Sequence, residues 1–428
     1  MTINKYYNFA KNYLFPLNRS ITGQGTKDTL KLIKKKFPKL KIKYFKSGLK
    51  VFDWRVPQEW NIKDAYIIDK NNNKIVDFKK NNLHIIGYSA PIKKKISKEN
   101  LLKKIHSLPN NPKAIPYITS YYKKNWGFCV SDILKQEIIK KYKRNDNFFI
   151  KIDSKFNHKG KLHYGELLIK GKSKKEILIS TYICHPSMAN NELSGPILSM
   201  SLIKYISTIK NNKSYRFIFI PETIGSIAYL SKYYNHLKKN VEGGFNLTCV
   251  GDERMYSCIL SKYNNSPSDY ALLNAFKNNK IKFKKYPFTM NGSDERQYNS
   301  PNIDLPITSF FRSKFGTYPE YHTSLDNFEL VTLKGITQSF TVIKNAIKFL
   351  EKNIFPKSQM FCEPFMSKRG LYPTISKRLT SGITKKIMNF IQYSDGKNSI
   401  ADISRIIKTN KKNTAKIYQI LKKNKILY

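Results

Sequence analysis

The chain is poor in acid. Against 78 Lys and Arg it carries 29 Asp and Glu, giving a formal net charge of +49. The lysines are spread along the whole length among Asn, Ile and Tyr, which reads as a general bias of composition rather than a nucleic-acid patch. Cysteine is scarce as well. Cys129, Cys184, Cys249, Cys258 and Cys362 form no CxxC pair and no disulfide-type spacing, which excludes a disulfide framework. Several sit in apolar runs, where a free Cys behaves as a small hydrophobe. Long apolar runs are missing: none reaches the ~18 residues needed to span a bilayer, and the opening MTINKYYNFAKNYLFPL has no signal-peptide core. The expectation is a soluble, cytoplasmic chain without a membrane partner. Tryptophan occurs only at Trp54, Trp60 and Trp126, where packing between units is a better reading than a sugar-stacking platform.

What is present centres on 176–195, EILISTYICHPSMANNELSG. Ile177–Ile183 is apolar and β-branched, the pattern of a strand buried on both faces. It delivers Cys184-His185-Pro186 at its carboxyl end, the edge where open α/β sheets bind ligands. Ser194-Gly195-Pro196 then opens an apolar helix, with proline suited to its first turn. Three further runs end alike. RFIFIP (216–221) delivers Glu222, FNLTCVG (245–251) delivers Asp252, and PITSFF (306–311) leads into a loop ending Tyr321-His322-Thr323-Ser324-Leu325-Asp326. A single strand-end histidine reads as a cap. Two histidines, an Asp and a Glu at neighbouring strand ends are the residue types of a zinc-dependent hydrolase.

On these residues the chain resembles the co-catalytic zinc aminopeptidases, and more closely a bacterial branch of aminopeptidase-like proteins often encoded with polysaccharide-biosynthesis genes. The phrases carrying the closer resemblance are FPLNRSITGQG (15–25), VFDWRVPQEWNIKDAYI (51–67), IPYITSYYKKNWGFC (115–129), CHPSMANNELSGP (184–196), GSDERQY (292–298) and YPEYHTSLDN (318–327). The resemblance implies a doubly wound mixed α/β sheet, with His185, Asp252 and His322 as metal ligands and Glu222 as general base. It places Asn191 where the family has a bridging Asp, and Thr223 where it has a second ligating Glu. With those two donors lost, one zinc per chain is expected rather than two. Glu192, Asp294 and Glu320 lie close enough in sequence to substitute as ligands or to support them. Arg254, Arg296 and Arg312 flank the same segments and are placed to grip an anionic group of substrate.

The remaining pattern divides the chain. Residues 1–58 and 131–355 read as two parts of the aminopeptidase-like domain. Residues 59–130, with short strands and polar turns, read as an inserted β domain. Phe148–Phe156 and Lys161–Ile169 look like a strand pair within the larger unit. After a Pro-containing linker, 365–428 has three short helical patterns, 383–393, 400–407 and 413–424, the layout of a winged helix. Lys411, Lys412, Lys416, Lys422 and Lys423 lie on or beside the third, so DNA is a conceivable partner. The loop 15–25 is expected to approach the site. Two functions of different class follow: a zinc-dependent hydrolase of a peptide or other amide bond, or a non-catalytic binding protein engaging DNA or a protein through the winged helix. Deacylation of an amino sugar is a third, suggested by the polysaccharide association.

Overall fold

The computed structural model describes residues 2–372 and 382–428. Its centre is an eight-stranded sheet. In chain order the strands are β1 (Lys41–Lys46), β2 (Lys161–Ile169), β3 (Glu176–Tyr182), β4 (Ser214–Ile220), β5 (Val241–Leu247), β6 (Ser257–Ile259), β7 (Lys284–Tyr286) and β8 (Ile307–Phe311). They lie in the order β1-β2-β4-β3-β5-β8-β6-β7. The inner four, β4-β3-β5-β8, are parallel, while β1, β2 and β6 each join an antiparallel pair. The order reverses around β3 and β4, so their carboxyl ends open a crevice.

Alternation along these strands splits the apolar core in two. Ile177, Ile179, Phe217 and Phe219 face one side, packed with helices Thr2–Phe9, Ser194–Ile206, Pro267–Asn278 and Leu333–Lys352. Leu178, Ile218 and Ile220 face the other, against helix Ile224–Asn240 and residues of the inserted unit. Helix Ser194–Ile206 lies close on the sheet because of Gly195. A Cβ there would stand 2.3 Å from Thr181 Oγ1 and 2.4 Å from the Leu247 carbonyl oxygen, so any side chain would lift the helix away.

The inserted unit is an antiparallel sheet ordered Lys74–Asp77, Glu59–Ile68, Asn147–Asn157 and Ile92–Ser97. This corrects the expected pairing of Phe148–Phe156 with Lys161–Ile169. The first of these runs pairs with Glu59–Ile68 and Ile92–Ser97, whereas the second joins β1 and β4. The inserted sheet therefore extends past residue 130 to Asn157. Apolar alternation told which faces are buried but not which neighbour lies beside them. Trp60 is a packing anchor: it is buried, stacks on Tyr88 and donates to the Ser89 carbonyl at 3.0 Å.

At the C-terminus, helices Ile383–Gln392, Ile400–Ile406 and Lys411–Lys423 close around Ile387, Phe390, Ile403, Ile417 and Leu421. Residues 373–381, inside the span 365–428, lie outside the described residues. The supposed linker is partly structural. Ser358 donates to Ser394, Gln359 to Ile426 and Tyr428 to Lys357, all through the backbone, so the unit begins upstream of residue 365. Among the described residues no helix is long and apolar enough to cross a membrane.

Candidate functional site

The strand ends converge on His185. Its ring is buried, and the peptide that follows it turns into a helical segment, Ala189–Leu193. Asp326 fixes that turn. One carboxylate oxygen accepts from the backbone N–H of Ala189 at 3.1 Å and of Asn190 at 2.5 Å, and the other from Asn191 at 2.9 Å and Tyr318 OH at 3.1 Å. Burial raises the Asp326 pKa to about 6 against the pull of these donors.

Glu192, on the same turn, reaches back to His185. Its Oε2 lies 2.9 Å from Nδ1, while Oε1 is 3.4 Å from Nε of Arg19. Arg19 comes from the loop 15–25, as the sequence suggested, and is wholly buried. It also donates to the His185 carbonyl at 3.0 Å and to the Leu14 carbonyl. A carboxylate on Nδ1 fixes the imidazole's orientation and leaves Nε2 facing the pocket. Burial alone would depress His185; the Glu192 carboxylate outweighs it, with help from Glu222, and the pKa is raised.

Glu222 stands opposite. Its Oε2 is 3.7 Å from His185 Nε2, and its Oε1 accepts from Ser293 Oγ at 2.6 Å. Burial raises its pKa, opposed by His185 and Ser293. Next in sequence, Thr223 has φ 59° and ψ −76°, a conformation costing about 1–3 kcal/mol for a non-glycine residue. Its N–H donates to Asp294 Oδ1 at 2.8 Å, where Ser226 Oγ also donates at 2.8 Å. Asp294 Oδ2 is buried without a partner, and burial with the nearby Glu222 charge pushes the Asp294 pKa up to about 8. The carboxyl is therefore neutral at pH 7 beside an ionisable Glu222.

His322, at φ 55°, stacks on Tyr321 with ring centroids 3.9 Å apart and lies 5.2 Å from the His185 ring. Its Nε2 is buried and unpaired. Burial and then His185 push its pKa down to about 3, so it remains a neutral lone-pair donor while its neighbour holds a proton more firmly. Environments that drive two adjacent titratable groups apart mark acid–base machinery.

Other expected residues sit elsewhere. Asp252 is fully buried but saturated: it accepts from Asn190 Nδ2 at 3.0 Å, from Ser313 N and Oγ at 2.9 Å each, and from Arg254 N at 3.0 Å. Each of its two oxygens thus accepts two of these bonds, and it is not part of the donor group around His185. Glu320 forms a two-pronged ion pair with Arg254 at 2.8 Å on each arm. Arg312 is buried against Tyr256, its guanidinium carbon 3.8 Å from the ring centre, and bonds Gln338. It is a core cation and not a substrate clamp. Arg296 is exposed just beyond Ser293. Asn191 donates to Tyr182 OH at 2.9 Å, and Tyr182 in turn meets Thr248 Oγ1. Neutral hydroxyls and an amide thus occupy the space beneath the turn.

The roof comes from the inserted unit. Tyr117 N donates to the His322 carbonyl at 2.8 Å, Pro116 bridges Thr323, and the Tyr117 ring lies 5.1 Å from both imidazoles. Tyr117 OH bonds Tyr121 OH at 2.9 Å. Sequence reasoning missed Tyr117, Tyr182, Ser293 and Asp326 as site residues. The only signal for them was their presence in the phrases 115–129, 292–298 and 318–327 and in the central strand.

Among the described residues the group of His, Cys, Asp and Glu donors that could share a cation is Cys184, His185 and Glu192, with ligand atoms within 4.8 Å of one another. That trio is a poor cation site. Burial, then the neighbouring carboxylates, keeps the Cys184 thiol protonated, and Glu192 is engaged by Arg19 and His185. The unpaired nitrogen left over is His322 Nε2, while His185 Nε2 faces Glu222 across 3.7 Å.

Comparison with known proteins identifies the family and the fold. Residues 7–353 match the family model described as a domain of unknown function (DUF4910), and residues 353–428 match a winged helix-turn-helix. A Clostridium acetobutylicum protein, provisionally named a polysaccharide biosynthesis protein with aminopeptidase-like domain, is 40% identical over 409 residues, covering 94% of this chain and 91% of its own. A crystal structure provisionally described as a peptidase from the same organism is 38% identical, with a TM-score of 0.79, covering 100% of this chain and 96% of that one. A zinc aminopeptidase from Bacillus subtilis shares the fold with a TM-score of 0.57 at 14% identity, covering 81% of this chain and 93% of its own.

Proposed function

The chain belongs to the aminopeptidase-like family described as DUF4910, and on that premise we propose that it is a metal-dependent hydrolase of a peptide or other amide bond. The observation that carries this reading is the facing of Glu222 and His185 at 3.7 Å beneath a half-buried His322 with an unpaired Nε2. Zinc is the proposed cation, as in the fold neighbour from Bacillus subtilis.

The donor set fits one such ion rather than two. Imidazole nitrogens are donor types of a catalytic zinc site, with Glu222 beside them as the base rather than a ligand, and the unpaired His322 Nε2 is the mark of a missing partner. A second ion would need carboxylates where Asn191 and Thr223 stand. His185 and His322 would hold the cation, with Glu192 and Arg19 orienting His185. When bound, zinc supplies Lewis acidity towards the carbonyl of the substrate.

The residues of the chain do the rest. Glu222 takes a proton from water and returns it to the leaving amine, and its raised pKa brings it nearer the working pH for both transfers. Ser293 holds Oε1, which leaves Oε2 to the reacting proton. The protonated Asp294 spares Glu222 a second negative charge. Tyr117 and Tyr121 exclude bulk water and give the substrate an aromatic wall. The Clostridium relative's name supports an amide of a polysaccharide or modified-sugar pathway as substrate.

Metal analysis and hydrolysis of aminoacyl anilides and N-acyl amino sugars test this. Purified protein should hold about one zinc per chain. Glu222→Gln should lower turnover by about 10²–10⁴-fold with the zinc retained, and His322→Ala should lose zinc. Undiminished turnover in Glu222→Gln would sink the assignment of the base. Wild type that neither holds zinc nor cleaves any of these amides would favour the other reading, a binding protein. The saturation of Asp252 supports that reading, as do the exposed lysines of helix Lys411–Lys423, which suit DNA phosphates.

A further inference from the structure

At the opposite end of the parallel strands a second cavity, of about 330 Å³, lies between the large unit and the winged helix. Its walls carry six lysines. Lys175 precedes β3, Lys238 and Lys239 end helix Ile224–Asn240, Lys262 follows β6, and Lys357 and Lys397 belong to the winged-helix unit. Three carboxylates share these walls; two are paired with lysines and the third accepts from backbone N–H groups. Glu242 pairs with Lys213 at 2.8 Å, Asp304 with Lys262 at 2.7 Å, and Asp395 accepts from the backbone of Lys397 at 2.8 Å and Asn398 at 3.1 Å. Among the described residues, Lys175, Lys238, Lys239, Lys357 and Lys397 therefore face the cavity without a carboxylate partner.

Two of them are fixed by backbone carbonyls. Lys175 donates to the Lys239 carbonyl at 3.0 Å and Lys238 to the Ile303 carbonyl at 2.8 Å, so both ammonium groups are held in place. Burial lowers the pKa of each; Glu242 near Lys175 and Asp304 near Lys238 oppose this, and neighbouring lysines, Lys357 among them, lower it further. Concentrated positive charge in a cleft costs energy that an anion relieves. The cavity also has apolar surface, from buried Phe355 and from Tyr263, over which Lys262 lies at 4.8 Å.

We propose that this cavity binds a small ligand bearing two or more phosphates, of the nucleoside-diphosphate class, clamped between the large unit and the winged helix. The lysines neutralise the phosphates from both units, and Tyr263 and Phe355 receive the apolar remainder. The size suits such a molecule rather than a macromolecule. Bound there, it ties the orientation of the winged helix to the large unit.

Calorimetry with inorganic pyrophosphate and with ADP, at about 0.15 M ionic strength where surface charges are largely screened, tests the proposal on the full chain. One site per chain is expected. Lys238→Ala/Lys357→Ala/Lys397→Ala should weaken it at least tenfold, whereas Lys34→Ala/Lys35→Ala/Lys39→Ala, removing the same charge from the exposed region 34–39, should leave it unchanged. Lys397→Glu alone, at an exposed position, should also weaken binding and covers the case in which the triple variant does not fold. Equal loss in both triple variants, several weak sites, or no binding would overturn the proposal. So would tighter binding of a DNA duplex than of ADP through the same lysines, which would make the cavity part of a nucleic-acid interface.

Discussion

Replacing Arg19 with methionine is the sharpest test of how the site is held. The side chain is wholly buried, as is Glu192. It donates to the carbonyls of His185 and Leu14 and faces Glu192 at 3.4 Å. Methionine retains most of the volume, so the change isolates charge and hydrogen bonding from cavity formation. Breaking a buried ion pair from one side costs about 3–5 kcal/mol, because the other charge is left behind. Glu192 keeps its 2.9 Å contact with His185 Nδ1, which places the expected loss at the lower end, about 3 kcal/mol. Glu192→Gln strands Arg19 in the same way and should cost a similar amount. The double variant should cost less than the sum of the two by at least about 1 kcal/mol, within the range found for contacting pairs. Urea unfolding followed by circular dichroism measures all three, with an unchanged slope showing that only stability has moved. An Arg19→Met variant within about 0.5 kcal/mol of wild type, or a cycle that is strictly additive, would refute the claim that this pair holds His185.

Two further outcomes follow from other parts of the fold. The folded pKa of Asp294 lies near 8, above the unfolded value, so its favourable contribution is complete below about pH 4 and is lost as pH rises through 8. Asp294→Asn should therefore gain stability relative to wild type across that window in a pH series of thermal melts; parallel curves would contradict the assignment. Deleting 357–428, which retains Phe355 of the main apolar core, should preserve a cooperative melt of the large unit. A broad, non-cooperative melt would show that the winged helix is part of one folding unit.

Much of this architecture is legible in the chain itself. The runs 177–183, 216–221 and 306–311 announce buried strands by apolar density alone, and each places its polar residue at the carboxyl edge. What lay beyond the sequence is partner choice. Asn147–Asn157 has the alternation of any half-buried strand, and nothing local states that it pairs with residue 59 onwards rather than with its neighbour at 161. The same limit applies to side chains. Asp252 stands after a strand like a ligand, but only the fold brings Ser313 and Asn190 to saturate it. Arg19, Tyr117 and Asp326 come from segments remote in sequence, and their roles exist only once those segments meet.

The backbone pairing of the 115–117 arm with the His322 loop has a consequence for the order in which the protein can be made. Ile115 and Ser324 are joined at both ends, Ile115 N to Ser324 Oγ and Ser324 N to the Ile115 carbonyl, across 209 residues of chain. Asp326 likewise reaches back to clamp the turn beginning at Ala189. A ribosome that has released only the first half of the sheet thus presents His185 and Glu222 with the Tyr117 arm made but not yet anchored on the His322 loop, and with no Asp326 clamp. Domains emerge and fold from the N-terminus onwards, and here the centre is assembled last, when the 318–327 segment arrives and closes three distant stretches at once. A chain stopped before that segment lacks both His322 and the Asp326 clamp on which the proposed function rests.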